Sequence, residues 1–257
     1  MPQVPWPNPA PFFLSAGPVG CLLVHGLTGS PPEMRPMGEY VFERGLTVSG
    51  PRLAGHGTTP QDLARTTWQD WYASVETAYI ELEQECAEIF VTGFSLGALL
   101  AVHLAVRRDV SGLILISPAF WVGDWRIHVT PLLRHVIRFV PKDLSRENSD
   151  LADPEARTRF WSYDVHSTEA GYQTLMLQRV TRSELRRVLQ PALVVYAVRD
   201  QRIAPYSGPR TYEQLAAPDK EQLVLHKSGH GIVVDSESEF LFRQVHHWIS
   251  APRGAAP

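Results

Sequence analysis

The most informative stretch of the chain is Ile89-Phe90-Val91-Thr92-Gly93-Phe94-Ser95-Leu96-Gly97-Ala98-Leu99-Leu100-Ala101. An apolar, β-branched run leads into a serine flanked by glycines, and a helix-forming run of Ala and Leu follows it. This order of strand, Gly-x-Ser-x-Gly and helix is typical of a nucleophile elbow, a sharp turn that exposes the serine oxygen above the sheet. The pentapeptide alone also occurs by chance in turns. In this context, however, the pattern predicts that Ser95 is a nucleophile.

Composition limits the class of protein. A length of 257 residues suits one large α/β domain spanning residues 1–257. The net charge of -3, from 24 basic and 27 acidic residues, predicts neither nucleic acid nor anionic lipid as a partner. Cys21 and Cys86 lack metal-type spacing and are expected to be small core residues. The oligomeric state stays open.

The proline-rich N-terminus contains neither a signal peptide pattern nor a membrane span. Residues 1–11 include no lysine or arginine and no continuous apolar run. We therefore expect a cytoplasmic protein without stable membrane insertion.

Apolar strand-like segments alternate with helical patterns along the chain. Strands are expected at residues 20–26, 45–49, 89–94, 110–117, 191–198 and 221–226. This alternation predicts a mostly parallel central sheet with helices on both faces. In such sheets reactive groups gather at the carboxyl ends of the strands.

Residues 119–190 form an exception to this alternation. They contain aromatic residues, arginines and helical periodicity, but no convincing core strand, and therefore predict an inserted helical lid. Within it, residues 129–140 form an amphipathic pattern that predicts a helix packed on the core. Weak contact of this helix with a lipid surface is the alternative.

Three of the predicted strands end in a polar residue on a loop. These residues are Ser95, Asp200 and His230, the nucleophile, acid and base of a possible catalytic triad. A serine hydroxyl needs an imidazole to take its proton, and the imidazole needs a carboxylate to orient it. His230 is favoured because glycines flank it just beyond the last strand, and Asp200 because it directly follows a valine-rich strand. The competing residues are less well placed: His226 lies within a strand end, His246 and His247 lie in the terminal helix, Asp153 and Asp164 lie in the expected lid, and Asp235 comes after the histidine.

An acyl-enzyme mechanism also requires an oxyanion hole. The backbone amide of Leu96, directly after the nucleophile, is one expected donor, and the amide of Leu27 in the loop after an early strand is the other. His25 is expected to hold the shape of that loop, with a second catalytic base as the rival interpretation. His56 is likewise expected to brace a loop.

Five segments occur together in a characteristic order: His25-Gly26-Leu27-Thr28-Gly29, Gly55-His56-Gly57, Gly93-Phe94-Ser95-Leu96-Gly97, Asp200 and Ser228-Gly229-His230. They resemble the α/β-hydrolase family of bacterial carboxylesterases and monoacylglycerol lipases, nearly from end to end. The resemblance implies an α/β-hydrolase fold with a helical lid between the sixth and seventh core strands. It also implies Ser95, Asp200 and His230 as triad, with Leu27 and Leu96 as the oxyanion pair.

The expected activity is hydrolysis of carboxylic esters, either short- to medium-chain acyl esters or monoacylglycerols, through an acyl-serine intermediate. No cofactor and no metal are expected. Trp121, Val129 and Leu132 are candidates for substrate binding, with packing of the lid onto the core as the alternative. A thioesterase, an acyltransferase or a C–C bond hydrolase would use the same triad, and a non-catalytic ligand-binding protein is a further alternative.

Overall fold

A seven-stranded sheet forms the centre of the computed structural model, which describes residues 8–142, 150–156 and 162–251. The strands in chain order are β1 (Phe12–Leu14), β2 (Val19–Val24), β3 (Thr47–Gly50), β4 (Glu88–Phe94), β5 (Gly112–Ile116), β6 (Phe139–Pro141), β7 (Val165–Ser167), β8 (Ala192–Ala197) and β9 (Lys220–Leu225). The main sheet has the order β1-β3-β2-β4-β5-β8-β9. Its pairs are parallel except β1 with β3, which confirms the mostly parallel sheet.

Helices cover both faces of this sheet. The α-helices are α1 (Arg35–Phe42), α2 (Pro60–Leu63), α3 (Trp68–Glu83), α4 (Leu96–Ala105), α5 (Thr130–Leu133), α6 (Thr168–Glu184), α7 (Ser207–Gln214) and α8 (Ser238–Ser250). One apolar core lies between the sheet and α3, α4 and α6, and a second lies between the sheet and α1 and α8. Both faces of the central strands are thus buried, as their continuous apolar sequences require.

The burial of the two cysteines follows the prediction. Cys21 and Cys86 are 0% and 8% exposed, and both are free thiols in the core. Among the described residues, no helix has the length and apolar character needed to cross a membrane. The first seven residues of the proline-rich N-terminus lie outside the described residues.

The segment between β5 and β8, residues 117–191, leaves the sheet and returns to it; we call it the insertion. It follows the fifth strand of the main sheet, one position earlier than the resemblance implied, because only five strands of that sheet precede it among the described residues. Its longest described element is α6. It also contains a two-stranded antiparallel ribbon of β6 and β7, which the sequence did not predict.

The predicted helix over residues 129–140 is wrong over most of its length. A 3-10 turn at Trp125–Val129 leads into the four-residue α5, and the chain then extends into β6. The apolar residues of the pattern do not form a buried stripe, since Leu132 is 78% and Val136 84% exposed. At the end of the pattern, Phe139 and Val140 are extended because they pair with β7, a partner more than 20 residues away in sequence.

Candidate active site

Ser95 lies at the turn between β4 and α4, at the carboxyl edge of the sheet. Its backbone is in a left-handed conformation with φ 53° and ψ -111°, a sparsely populated region in which strain is characteristic of functional sites. The flanking glycines make the turn possible. A Cβ on Gly93 would lie 2.3 Å from the Gly97 carbonyl oxygen, and one on Gly97 would lie 2.2 Å from the Val24 carbonyl oxygen.

Ser95, His230 and Asp200 form a continuous hydrogen-bonded chain. The Ser95 Oγ lies 3.0 Å from His230 Nε2, and His230 Nδ1 lies 2.7 Å from Asp200 Oδ2. Asp200 follows β8 and His230 follows β9, so parallel strands bring three distant segments to one edge of the sheet. The side chains of His230 and Asp200 are 14% and 3% exposed, which keeps the contact between them largely free of water.

The electrostatics of the pair suit a general base. Burial alone lowers the pKa of His230, but the charge of Asp200 and its hydrogen bond outweigh that effect and raise the pKa above its usual value. Burial alone would likewise raise the pKa of Asp200, because it disfavours the charged carboxylate. The charge and hydrogen bond of His230, with the amides of Arg202 and Ile203, nevertheless hold the pKa of this carboxyl below its usual value. The carboxylate is therefore ionised at neutral pH and faces an imidazole that accepts protons readily.

The neighbouring strand end supports the serine and the histidine. The Ser95 amide donates to the Ile116 carbonyl at 2.8 Å. The next residue, Ser117, has a φ of 44°, and its hydroxyl donates to the His230 carbonyl at 3.1 Å. The nucleophile loop and the base loop are thus both attached to the end of β5.

The loop after β2 carries the second predicted oxyanion donor. Leu27 is half-buried and Leu96 is 1% exposed at the first position of α4. Among the described residues, neither backbone amide donates to a protein acceptor. This is the state in which two amides can bind a substrate oxygen.

His25 and His56 brace the loops around this region. The Nδ1 of His25 donates to the Gly26 carbonyl at 2.9 Å, and its Nε2 accepts from the Leu53 amide at 3.1 Å. Both ring nitrogens are used and the side chain is fully buried, so His25 has no nitrogen left for proton transfer from a substrate. His56 packs edge-on against His25 and donates to the Ala54 carbonyl.

Three acidic residues hold the site loops in roles that the sequence did not indicate. Asp150 Oδ2 accepts from the amides of His230 and Gln201, each at 3.0 Å, so it connects the insertion to both the base loop and the acid loop. Asp235 accepts from Gly229 at 2.8 Å and also from insertion amides. Glu33, 6% exposed, accepts from the Gly26 amide. For Asp235 and Glu33 the only sequence signal is an acidic residue close to a glycine-containing loop, which is too common to be specific, and Asp150 has no such signal.

The three candidate substrate-binding residues lie in different surroundings. Trp121 is 8% exposed and belongs to the core, with Arg210 4.7 Å and Arg182 5.3 Å from its ring centre. Val129 is half-buried, and Leu132 projects into solvent. Trp121 therefore packs onto the core in this conformation. Contact of Trp121, Val129 and Leu132 with substrate stays a prediction. Within the described ranges, no three His, Cys, Asp or Glu side chains converge in an arrangement that could hold a metal ion.

Comparisons with known proteins agree with this architecture. Residues 21–244 match the model of the alpha/beta hydrolase family. The chain is 34% identical to the thermostable monoacylglycerol lipase of Bacillus sp. (strain H-257), covering 91% of each chain. It is 26% identical to the carboxylesterase of Bacillus subtilis (strain 168), covering 94% of this chain and 96% of the relative.

A solved structure extends the similarity to three dimensions. It comes from the metagenome-derived lipolytic enzymes LipS and LipT and matches with a TM-score of 0.88 and 29% identity. The match covers 95% of this chain and 98% of that chain. The fold and the family model both confirm the resemblance, and the chain belongs to the alpha/beta hydrolase family.

Proposed function

We propose that this protein is a carboxylic ester hydrolase that acts through an acyl-Ser95 intermediate. The observation that carries the proposal is the chain from Ser95 Oγ through His230 to Asp200, with distances of 3.0 and 2.7 Å. The relatives named monoacylglycerol lipase and carboxylesterase support carboxylic esters as the substrate class. Short- to medium-chain acyl esters and monoacylglycerols are the substrates to test.

The mechanism follows from the positions of the hydrogen-bonded groups. His230 takes the proton of Ser95 Oγ as that oxygen attacks the ester carbonyl, and Asp200 stabilises the imidazolium that results. The amides of Leu27 and Leu96 bind the oxyanion of the tetrahedral intermediate. His230 then gives its proton to the departing alcohol, which leaves acyl-Ser95. Water attacks this ester with His230 again as base, and the acid product leaves as Ser95 regains its proton.

The test compares hydrolysis of a series of p-nitrophenyl esters of increasing acyl length by the wild type and by Ser95→Ala. We expect the substitution to reduce kcat by at least about 10⁴-fold, because the nucleophile of the triad is lost. The control is Ser183→Ala, which removes an exposed hydroxyl on α6 and leaves the rate unchanged. Equal rates from wild type and Ser95→Ala would contradict the proposal.

A second measurement separates ester hydrolysis from the other reactions available to the same triad. Monoacylglycerol, thioester and amide substrates of matched acyl length are compared by kcat/KM. A preference for esters supports the proposal, and a preference for thioesters replaces it. Labelling of Ser95 by a fluorophosphonate probe excludes a purely ligand-binding protein, since only an activated serine reacts.

A further inference from the structure

Thr28 holds an unusual backbone conformation immediately after the proposed oxyanion donor Leu27. Its φ is 64°, in the left-handed region that β-branched residues rarely adopt. Such a conformation persists only where surrounding contacts maintain it. Thr28 is 5% exposed, so protein groups surround it.

Two contacts to Thr28 come from the insertion. Lys142 Nζ donates to Thr28 Oγ1 at 2.7 Å, and the Tyr163 amide donates to the Thr28 carbonyl at 3.4 Å. Lys142 directly follows β6, and its own amide donates to the Asp164 carbonyl at 2.9 Å, directly before β7. The β6–β7 ribbon therefore fixes the backbone from which the lysine reaches the loop.

Glu33 holds the same loop through a backbone amide. Its carboxylate accepts from the Gly26 amide, and the Gly29 amide closes a turn onto the Gly26 carbonyl at 3.3 Å. A Cβ on Gly29 would lie 2.3 Å from Glu33 Oε2, so the loop fits closely over the carboxylate. Residues 26–29 are thus held by two side chains, Glu33 in the core and Lys142 in the insertion.

We propose that Lys142 is a positioning residue for the oxyanion hole: its hydrogen bond to Thr28 keeps the loop in the conformation that directs the Leu27 amide at the substrate oxygen. The inference rests on the proposed hydrolysis through Ser95. It assigns the insertion a role in the chemical step, because one of its side chains maintains the shape of the loop that binds the oxyanion. A small displacement of such a donor is costly, since transition-state stabilisation depends closely on distance and direction.

The charge of Lys142 makes this contact dependent on pH. Burial lowers the pKa of Lys142 to about 8, and Arg202 acts in the same direction, whereas Glu33 and Asp164 oppose the shift. His166 also faces the lysine, and it is neutral in this range because burial and neighbouring cations lower its pKa to about 4. Below pH 8 the ammonium donates a charge-assisted hydrogen bond, and above pH 8 the neutral amine donates a weaker one.

The experiment uses the full chain and four single variants. Lys142→Met removes the ammonium, Thr28→Val removes its acceptor, and Thr28→Ser retains a hydroxyl. Ser162→Ala is the matched control, because Ser162 accepts from the same ammonium at 3.2 Å and the proposal gives it no part in holding the loop. Each variant is compared with the wild type by kcat and KM on one p-nitrophenyl ester and by melting temperature.

We expect Lys142→Met and Thr28→Val to lower kcat by about 10- to 100-fold with KM changed less than about 3-fold. A double variant that combines Lys142→Met with Thr28→Val should lose no more kcat than Lys142→Met alone, since both substitutions break the same contact. Thr28→Ser and Ser162→Ala should stay within about 2-fold of wild type. The decline of wild-type kcat above pH 8 should be absent from Lys142→Met.

A boronic acid provides a measurement without turnover. An alkylboronate forms a tetrahedral adduct with Ser95, and its affinity should fall in Lys142→Met by the same factor as kcat, but not in Ser162→Ala. Wild-type kcat and wild-type boronate affinity in Lys142→Met would overturn the inference, as would an equal loss in the Ser162→Ala control. If the wild type hydrolyses no ester, the proposed function fails, and the boronate comparison still decides the role of Lys142.

Discussion

The charge of Asp200 determines how readily His230 accepts a proton. Replacing Asp200 with asparagine keeps the shape of the side chain and removes the charge that raises the pKa of His230. We expect kcat to fall by about 10⁴-fold, because the amide no longer fixes the required tautomer of the imidazole. The acid limb of the pH profile, in which activity falls as His230 becomes protonated, should lie at a lower pH than in the wild type. The reason is that His230 without a charged partner releases its proton more readily.

The measurement for Asp200→Asn is the pH profile of kcat/KM, with Asp109→Asn as the control for removal of an exposed carboxylate. The control should reproduce the wild-type limb. An acid limb that stays at the wild-type pH in Asp200→Asn would show that another group sets the protonation state of the base.

Most of the individual residues of the candidate site could be predicted from the sequence. Ser95, Asp200 and His230 could be predicted because each follows an apolar strand, and parallel strands place their ends at one edge. The roles of Asp150, Glu33 and Lys142 could not. These side chains form hydrogen bonds with loops that are remote in sequence or with backbone amides. Because almost every residue has a backbone amide, the residue types do not reveal which amide is bound.

Among the elements, α4 and α6 are joined by a buried contact between a histidine and a carboxylate. His103 Nδ1 on α4 lies 2.8 Å from Glu184 Oε2 at the end of α6, with side chains 5% and 4% exposed. Arg107, two residues beyond the end of α4, bonds to the other carboxylate oxygen at 2.8 Å. The helix that begins at the nucleophile is thus attached to the longest described helix of the insertion.

Glu184→Ala removes the shared acceptor of this pair. We expect the free energy of unfolding to fall by about 2–3 kcal/mol, because the buried His103 ring loses its hydrogen-bond partner. The Arg107 side chain is 37% exposed, so the loss of its ion pair adds little. The matched control is Glu39→Ala, in which the pair with Arg35 is exposed, with the Glu39 side chain 55% accessible. That change should stay below about 1 kcal/mol. Urea denaturation measures both, and equal losses would contradict the prediction.

The elements also mark where sequence prediction succeeds and where it fails. The six strands expected from the sequence were predicted to within a few residues, and so was the start of the helix after Ser95, because burial imposes a pattern on their sequences. The elements within the insertion were not predicted, since many of them are short and exposed. Its apolar residues at 129–140 resemble a helix stripe, but the pairing of β6 with β7 determines the backbone at the end of this stretch.

Across the whole molecule, buried ionisable groups act on stability in opposite directions as pH changes. Burial lowers the pKa of His25 to about 4 and that of His56 well below its usual value. Their contribution to stability is therefore complete above the unfolded pKa near 6.5 and is lost as pH falls below it. Glu33 behaves in the opposite way. Burial raises its pKa from 4.5 to about 7, so its stabilising protonated form is lost as pH rises through this range.

These opposing contributions predict greatest stability near pH 6 to 7. Glu33→Gln retains an oxygen acceptor for the Gly26 amide but cannot ionise. We expect it to be more stable than the wild type at pH 8 by on the order of 3 kcal/mol, with the difference shrinking toward pH 5. Glu43→Gln, which removes a carboxylate whose side chain is 71% exposed, should leave the profile unchanged. Unfolding by urea from pH 5 to pH 9 measures the effect. Parallel profiles for wild type and Glu33→Gln would mean that Glu33 is ionised in the fold at little cost and contributes no loss of stability between its unfolded pKa of 4.5 and its folded pKa of about 7.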